Sequence, residues 1–192
     1  MDFPYLKVKG RSLLPVIQGG MGIGVSAHSL AGAVAAEGAV GTIASVELRR
    51  LHEDLMRPLR RLRDPAASAK ANLIALDREI QEARRIAGKE GFIAVNVMHA
   101  ISGYREHVLQ AIKSGVNAVI VGAGLPMDLP TLAAEFPKVA LIPILSETRG
   151  VQVVLRRWMR QKRLPDAIVI ENPQFAVPKS DGVLGTLRVQ GW

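Results

Sequence analysis

Apolar residues along the chain fall into two alternating patterns. Short unbroken runs rich in Val, Ile, Leu and Ala lie near Leu14–Gln18, Ala39–Ala44, Phe92–Met98, Asn117–Val121, Val139–Leu145 and Asp166–Glu171. Runs of this kind predict strands buried on both faces, as in a parallel sheet. Between them, apolar residues recur every three or four positions, which predicts amphipathic helices. Ala27, Leu30, Ala31, Val34 and Ala35 form one stripe, with Ser26 as its expected N-cap and Gly38 as its stop. Leu73, Leu76, Ile80, Ala83 and Ala87 form a second, ended by Gly88, and Tyr104, Val108, Ala111 and Ile112 a third, ended by Gly115. Val151, Val154, Leu155 and Trp158 give the last, before Pro165.

The strand spacing is about 25 residues, the size of a βα unit, with one double interval between the second and third strands. That interval is expected to hold two helices, separated at Asp64-Pro65. Regular βα alternation demands an α/β fold, either an open doubly wound sheet or a closed (β/α)₈ barrel. About six βα units are present, so a barrel reading makes the chain an incomplete TIM-barrel type.

Composition narrows the functional classes. The 192 residues contain no cysteine, which removes disulfides, thiolate metal sites and thiol nucleophiles together. A cytoplasmic location fits. The formal charge of +8 suggests acidic partners, but the cations concentrate in Arg49–Arg63 and Arg156–Arg163, both amphipathic helical stretches without interleaved aromatics. A solvated helix face is the expectation there, and no nucleic-acid partner. The uncharged stretch Ser12–Ala36 contains Pro15, Gln18, His28 and several glycines, so no membrane span is expected. The opening residues are too polar for a signal peptide. His28 is expected on a helix surface, and His52 and His107 in solvated positions. No histidine pair has metal-ligand spacing beside a carboxylate, so no metal is expected.

Val16-Ile17-Gln18-Gly19-Gly20-Met21-Gly22-Ile23-Gly24 carries the most chemical information. Glycines between a strand and a helix let backbone amides approach a ligand, and a helix start favours anions. Gly22 to Ala27 satisfies G-x-G-x-x-A and Glu47 follows a second strand, so the stretch by itself is also similar to a Rossmann fingerprint. Pro15 within the first strand argues against that, because a Rossmann first strand is central.

Leu14-Pro15-Val16-Ile17-Gln18-Gly19-Gly20-Met21-Gly22 resembles the amino-terminal signature of the nitronate monooxygenases, whose relatives include flavin-dependent enoyl-acyl-carrier-protein reductases. Gly41-Thr42-Ile43-Ala44-Ser45, Asn96-Val97-Met98, Val121-Gly122-Ala123-Gly124-Leu125-Pro126 and Pro165–Glu171 match in order, so the resemblance covers roughly residues 6 to 175. It implies an FMN-dependent (β/α)₈ barrel with its site at the carboxyl ends of the strands. The implied flavin contacts are Gly20, Met21, Gly22, Ser45, Asn96 and Glu171. Glu171 reads equally as a capping or surface carboxylate, and His99 stands near the same mouth. The implied partners are an anionic nitronate and dioxygen, giving a carbonyl compound and nitrite, with most of the chemistry carried by the cofactor. Nothing in the sequence excludes an oligomer.

The pattern departs from the family after Glu171. The family continues into an Ala-Gly-Gly-His-x-Gly loop, whereas this chain has Phe175-Ala176-Val177-Pro178-Lys179-Ser180-Asp181-Gly182. The family histidine is absent, leaving no catalytic residue to assign, and so are the late glycine loops that grip the FMN phosphate. The expectation is an incomplete FMN-binding barrel over 1–175 followed by a divergent tail over 176–192, from a truncated or frame-shifted product. A short natural variant with an open six-stranded sheet is the other reading. Functionally, a nitronate oxidase stands first, with doubtful activity in this chain. An enoyl reductase, a non-catalytic fragment and a Rossmann module are the alternatives.

Overall fold

The computed structural model describes residues 3–60, 64–171 and 188–190, the last three as backbone. The chain opens with an antiparallel hairpin, β1 (Leu6–Val8) and β2 (Arg11–Leu13). It continues through α1 (His28–Ala36), β3 (Val40–Ala44), a 3-10 turn (Leu48–Leu51), α2 (Glu53–Leu59) and α3 (Pro65–Ala87). Then follow β4 (Phe92–Met98), α4 (Tyr104–Lys113), β5 (Ala118–Gly122), the single turn α5 (Leu129–Leu132) and β6 (Ala140–Leu145). The last elements are α6 (Thr148–Arg160), β7 (Ile168–Ile170) and β8 (Arg188–Gln190).

Strands β3 to β7 form a parallel sheet in sequential order, and β8 adds to β7 antiparallel. Sequential order with helical crossovers winds the chain in one direction, as in a barrel; a Rossmann sheet reverses order at its switch point. The arrangement is part of a (β/α)₈ barrel, and the Rossmann alternative falls. Among the described residues, no helix is long and apolar enough to cross a membrane.

The predicted first strand, Leu14–Gln18, is reduced to one parallel bridge between Ile17 and Val40. Its backbone still tracks β3: Leu14 N donates to Gly38 O (2.9 Å), Val40 N to Val16 O (3.0 Å) and Gln18 N to Val40 O (3.0 Å). Val16 N instead bonds back to Leu14 O (2.7 Å) around Pro15, which breaks the regular ladder.

Alternation along the strands separates two apolar layers. Ile43, Ile93, Val95, Val119, Val121 and Leu141 face the helices, meeting Leu76 and Ile80 of α3, Val108 of α4 and Trp158 of α6. Val40, Phe92, Ala94, Ala118, Ile120, Ala140, Ile142 and Val169 face the other side, where Val8 and Leu13 of the hairpin close the amino ends of the strands. Lys9 binds Asp166 at 2.9 Å and fixes that plug. Helix α1 lies so close to β3 that a Cβ at Gly41 would stand 1.8 Å from Ala31 O.

Helix punctuation follows the sequence at Asp64, whose Oδ1 accepts from Ala66 N (2.8 Å) with Pro65 opening α3, and at Gly88 (φ +69°). Ser26 is not the cap of α1. That helix starts at His28 after Ala27 with no cap from its own side chains.

Candidate functional site

The carboxyl ends of the strands and their following loops form one mouth. It is entered from the glycine loop after Gln18 and from Ser45 beyond β3. It continues through Asn96 on β4, Ala123–Leu125 after β5, Ser146–Gly150 after β6 and Glu171 after β7.

The glycine loop is organised around the buried hydroxyl of Ser26. Ser26 Oγ donates to Gly19 O (2.9 Å) and accepts from Met21 N (2.9 Å) and from Gln18 Nε2 (2.7 Å). Gln18 Oε1 in turn accepts from Thr42 N (2.9 Å), and Ala44 N donates to Ser26 O (3.0 Å), so the loop is stitched to β3. A serine buried at that distance from α1 spends its hydroxyl on the loop, which explains why it does not cap the helix.

Gly20 crosses the mouth directly over Asn96: a Cβ there would lie 2.5 Å from Asn96 Cβ and 2.9 Å from its Cγ. Only glycine allows that approach. Asn96 lies on the strand face of Phe92 and Ala94, half-buried, and its carbonyl accepts from Ser45 N (3.0 Å). Gly20, Asn96 and Ser45 are therefore brought together. Gly22 packs on Val46, whose Cγ1 would be 2.5 Å from a Cβ, and Met21 is 43 % exposed beside it. Gly20 and Gly22 are exposed. Glu171, its amide held by Leu145 O (3.0 Å), stands apart from this group on the far side of the mouth.

Glu171 lines a cleft of about 400 Å³ with Gly124, Leu125, Ile144, Ser146 and Arg149. Ser146 lines this cleft, and Glu147 occupies the N-cap position of α6 without a side-chain bond. His99 stacks obliquely on Tyr104 (centroids 4.7 Å apart) beneath Gly124, and its amide donates to Gly122 O (2.8 Å). Burial, with the nearby Asp128 charge, pushes the Tyr104 hydroxyl well above the ordinary tyrosine value.

Three expectations about polar residues, at Glu47, His107 and His52, are corrected here, while His28 keeps its place at a helix surface with its side chain 41 % exposed. Glu47 is no ribose-binding acid: it accepts from Arg49 and from Arg50 Nε (3.0 Å), and the Arg49 hydrogen bond holds its carboxyl below the usual range. His107 is buried rather than solvated, and loss of hydration depresses its pKa. His28 and His52 both sit against Glu79, a carboxylate 1 % exposed on α3. Glu79 occupies the buried stripe between Leu76 and Ala83, so a carboxylate at an apolar-periodic position was the missed signal. Among the described residues, no group of three His, Asp or Glu could hold a metal ion. The loop that replaces the family histidine segment lies outside the described residues, as does most of the expected tail over 176–192.

The family model for nitronate monooxygenase matches residues 7–175. Among solved structures, FabK from Thermotoga maritima matches with a TM-score of 0.53 and 22% identity, covering 74% of this chain and 37% of that one. A point mutant of the same protein matches with a TM-score of 0.54 and 21% identity, covering 74% and 40%. The chain thus spans about 40% of the length of the solved structures it matches. The comparison with curated proteins returned no match.

Proposed function

The chain belongs to the nitronate monooxygenase family, and from that premise we propose that it acts as an FMN-dependent oxidoreductase on small nitronate anions. The observation that carries this reading is the bare backbone of Gly20 lying on Asn96 at the carboxyl end of the sheet. The exposed edge from Gly20 to Gly22 offers amides and carbonyls to a flat heteroaromatic ring, with no side chain in the way at either glycine. The Met21 amide is already committed to Ser26 Oγ, so Gly20, Gly22 and the Asn96 carboxamide are the groups that would hold the ring. Ser45 orients Asn96 through the backbone, and Glu171 faces the ring's surroundings from the cleft side.

Bound FMN would supply the electron transfer from nitronate to dioxygen, giving a carbonyl compound and nitrite. The chain's own part is to fix the ring edge, exclude side chains from its face and leave the adjoining cleft open for a small substrate. Arg149 is the cation on the cleft wall, where it could pair with an anion beside the carboxylates of Glu147 and Glu171.

The test is nitronate-dependent oxygen uptake by the purified chain with added FMN. Saturable uptake that needs FMN but no nicotinamide supports the proposal. The likeness to FabK favours a second reading, reduction of an enoyl thioester at the expense of NAD(P)H. Nicotinamide oxidation that depends on an enoyl thioester would select it, and neither activity would leave both proposals without support.

A further inference from the structure

We propose that Glu79 is a positioning residue for the mouth, clamping the glycine loop and the loop after β3 into one rigid wall. The inference rests on the flavin reading above for its purpose, though its geometry is independent of it.

Glu79 Oε2 accepts from His28 N (2.8 Å) and lies 2.7 Å from His28 Nδ1. His28 is the first residue of α1 and follows Ser26 by two positions, so this bond anchors the exit of the glycine loop. It also gives α1 the N-terminal acceptor that its own side chains do not provide. On the other side, Glu79 Oε1 lies 3.0 Å from His52 Nε2, a buried nitrogen that makes no aligned hydrogen bond to Glu79 or to any other group, so the contact there is one of proximity between a carboxylate and an imidazole. His52 ends the 3-10 turn Leu48–Leu51 and opens α2, so it anchors the exit of the second loop.

Between those anchors the two loops interlock. A Cβ at Gly22 would strike Val46, and one at Gly24 (φ +76°) would strike Leu51 Cδ2 at 2.7 Å. One carboxylate therefore ties both ends of a pair of loops packed without spare room. An apolar residue would serve the packing of α3 as well, and a buried acid costs hydration. What the acid adds is two oxygens against two separate chain segments, one hydrogen-bonded to His28 and the other 3.0 Å from the His52 ring.

The experiment combines amide exchange on the ligand-free full chain with FMN affinity from flavin fluorescence. In Glu79→Gln, exchange at residues 19–26 and 45–52 should accelerate at least tenfold, with residues 123–128 unchanged, and the Kd for FMN should rise at least tenfold. Asp77→Asn is the control. Asp77 lies two residues away on α3 and accepts from Ser114 Oγ (2.6 Å) at the end of α4; asparagine keeps an oxygen there, so this loss of a charge on the same helix should alter neither readout. Glu79→Asp, which keeps the charge, should fall between wild type and Glu79→Gln. Unchanged loop exchange in a folded Glu79→Gln would overturn the clamp. If that variant does not fold, His52→Asn decides. Faster exchange in both loops supports a shared anchor, and faster exchange in residues 45–52 alone overturns it. A wild-type chain that binds no FMN would sink the flavin reading, while the exchange measurements would still decide the clamp.

Discussion

Between Gln18 and His52 the mouth is cross-linked by side chains, whereas between Ala123 and Val153 it is an open cleft of about 400 Å³. On the first side Ser26, Gln18, Glu47 and Glu79 each bind two or more partners, and glycines at 20, 22 and 24 close onto neighbouring side chains. On the second side Gly150 meets only Leu125, at an ordinary 3.5 Å, Gly124 lies tight against His99, and Ser146, Glu147 and Arg149 are exposed. Pre-paired polar groups hold a geometry before any ligand arrives; an open cleft admits a ligand that the wall need not grip in advance. The difference fits the function proposed above, in which a cofactor would sit against the first side and an exchanging small molecule would enter the second.

The sharpest way to break this contrast is Gly41→Ala. The new Cβ would stand 1.8 Å from Ala31 O and 2.7 Å from its carbonyl carbon, both backbone atoms that cannot rotate away. Helix α1 would have to leave β3, taking with it His28 and the end of the glycine loop. A loss of at least about 3 kcal/mol in urea unfolding, or an insoluble product, is expected. A stable, soluble Gly41→Ala would show that the first side is looser than described. Next in size, Ser26→Ala takes the acceptor from the Met21 amide and one of the two partners from Gln18 Nε2, which keeps Gly19 O, at about 1–3 kcal/mol. Ser146→Ala, on the exposed cleft wall, should stay within about 0.5 kcal/mol of wild type. Equal losses at the two serines would erase the comparison.

How legible each side was from sequence follows from the physics of its residues. Runs such as Ala118–Gly122 and Phe92–Val95 are apolar on both faces because helices cover one side and strands the other, so periodicity alone locates them. Leu14–Gln18 reads as a strand for the same reason, but Pro15 leaves the ladder one bond short and reduces it to a bridge. The opening hairpin went unread because each strand has three residues and carries charge. Its turn was nevertheless written in Lys9-Gly10, both left-handed (φ +47° and +74°) between Leu6, Val8 and Leu13. Glycine spacing marked the loop at Gly19–Gly24, yet its partner Asn96 is far away in sequence, and contact between them depends on β3 and β4 pairing. Glu79, His28 and His52 come from three separate helical segments, and no local pattern joins them.

Acid should reveal two polar groups in sequence, His107 on α4 and Glu47 on the first side. Burial depresses the pKa of His107, against the opposing pull of the Glu106 and Glu47 charges. The unfolded chain then binds that proton more readily than the folded one, so stability falls as pH drops below about 6.5. Glu47 is also lowered, chiefly by Arg49; its contribution is complete above its unfolded value near 4.5 and is lost as pH falls through its folded value. Urea midpoints measured from about pH 8 down to about pH 2 should therefore decline in two stages. His107→Gln should shallow the upper stage and Glu47→Gln the lower. An interchange of the two effects would mean that the assignments are reversed.

The smallest expected change has the opposite sign and lies in the cleft. Gly150 is the third residue of α6, half-buried, and a Cβ there would meet only Leu125 Cδ2, at an ordinary contact distance of 3.5 Å. No positive φ has to be surrendered at this helical position. Alanine restricts the unfolded chain and favours the helix by about 0.5–1 kcal/mol, so Gly150→Ala should raise Tm by roughly 1–4 °C. The added methyl narrows the cleft beside Arg149 without touching the Gly20–Asn96 contact. FMN affinity should therefore be unaltered, while KM for the small substrate rises. The same chemical change, glycine to alanine, thus disrupts one side of the mouth at Gly41 and stabilises the other at Gly150. A Gly150→Ala chain with a lowered Tm would show that the cleft wall is already as tightly packed as the wall across from it.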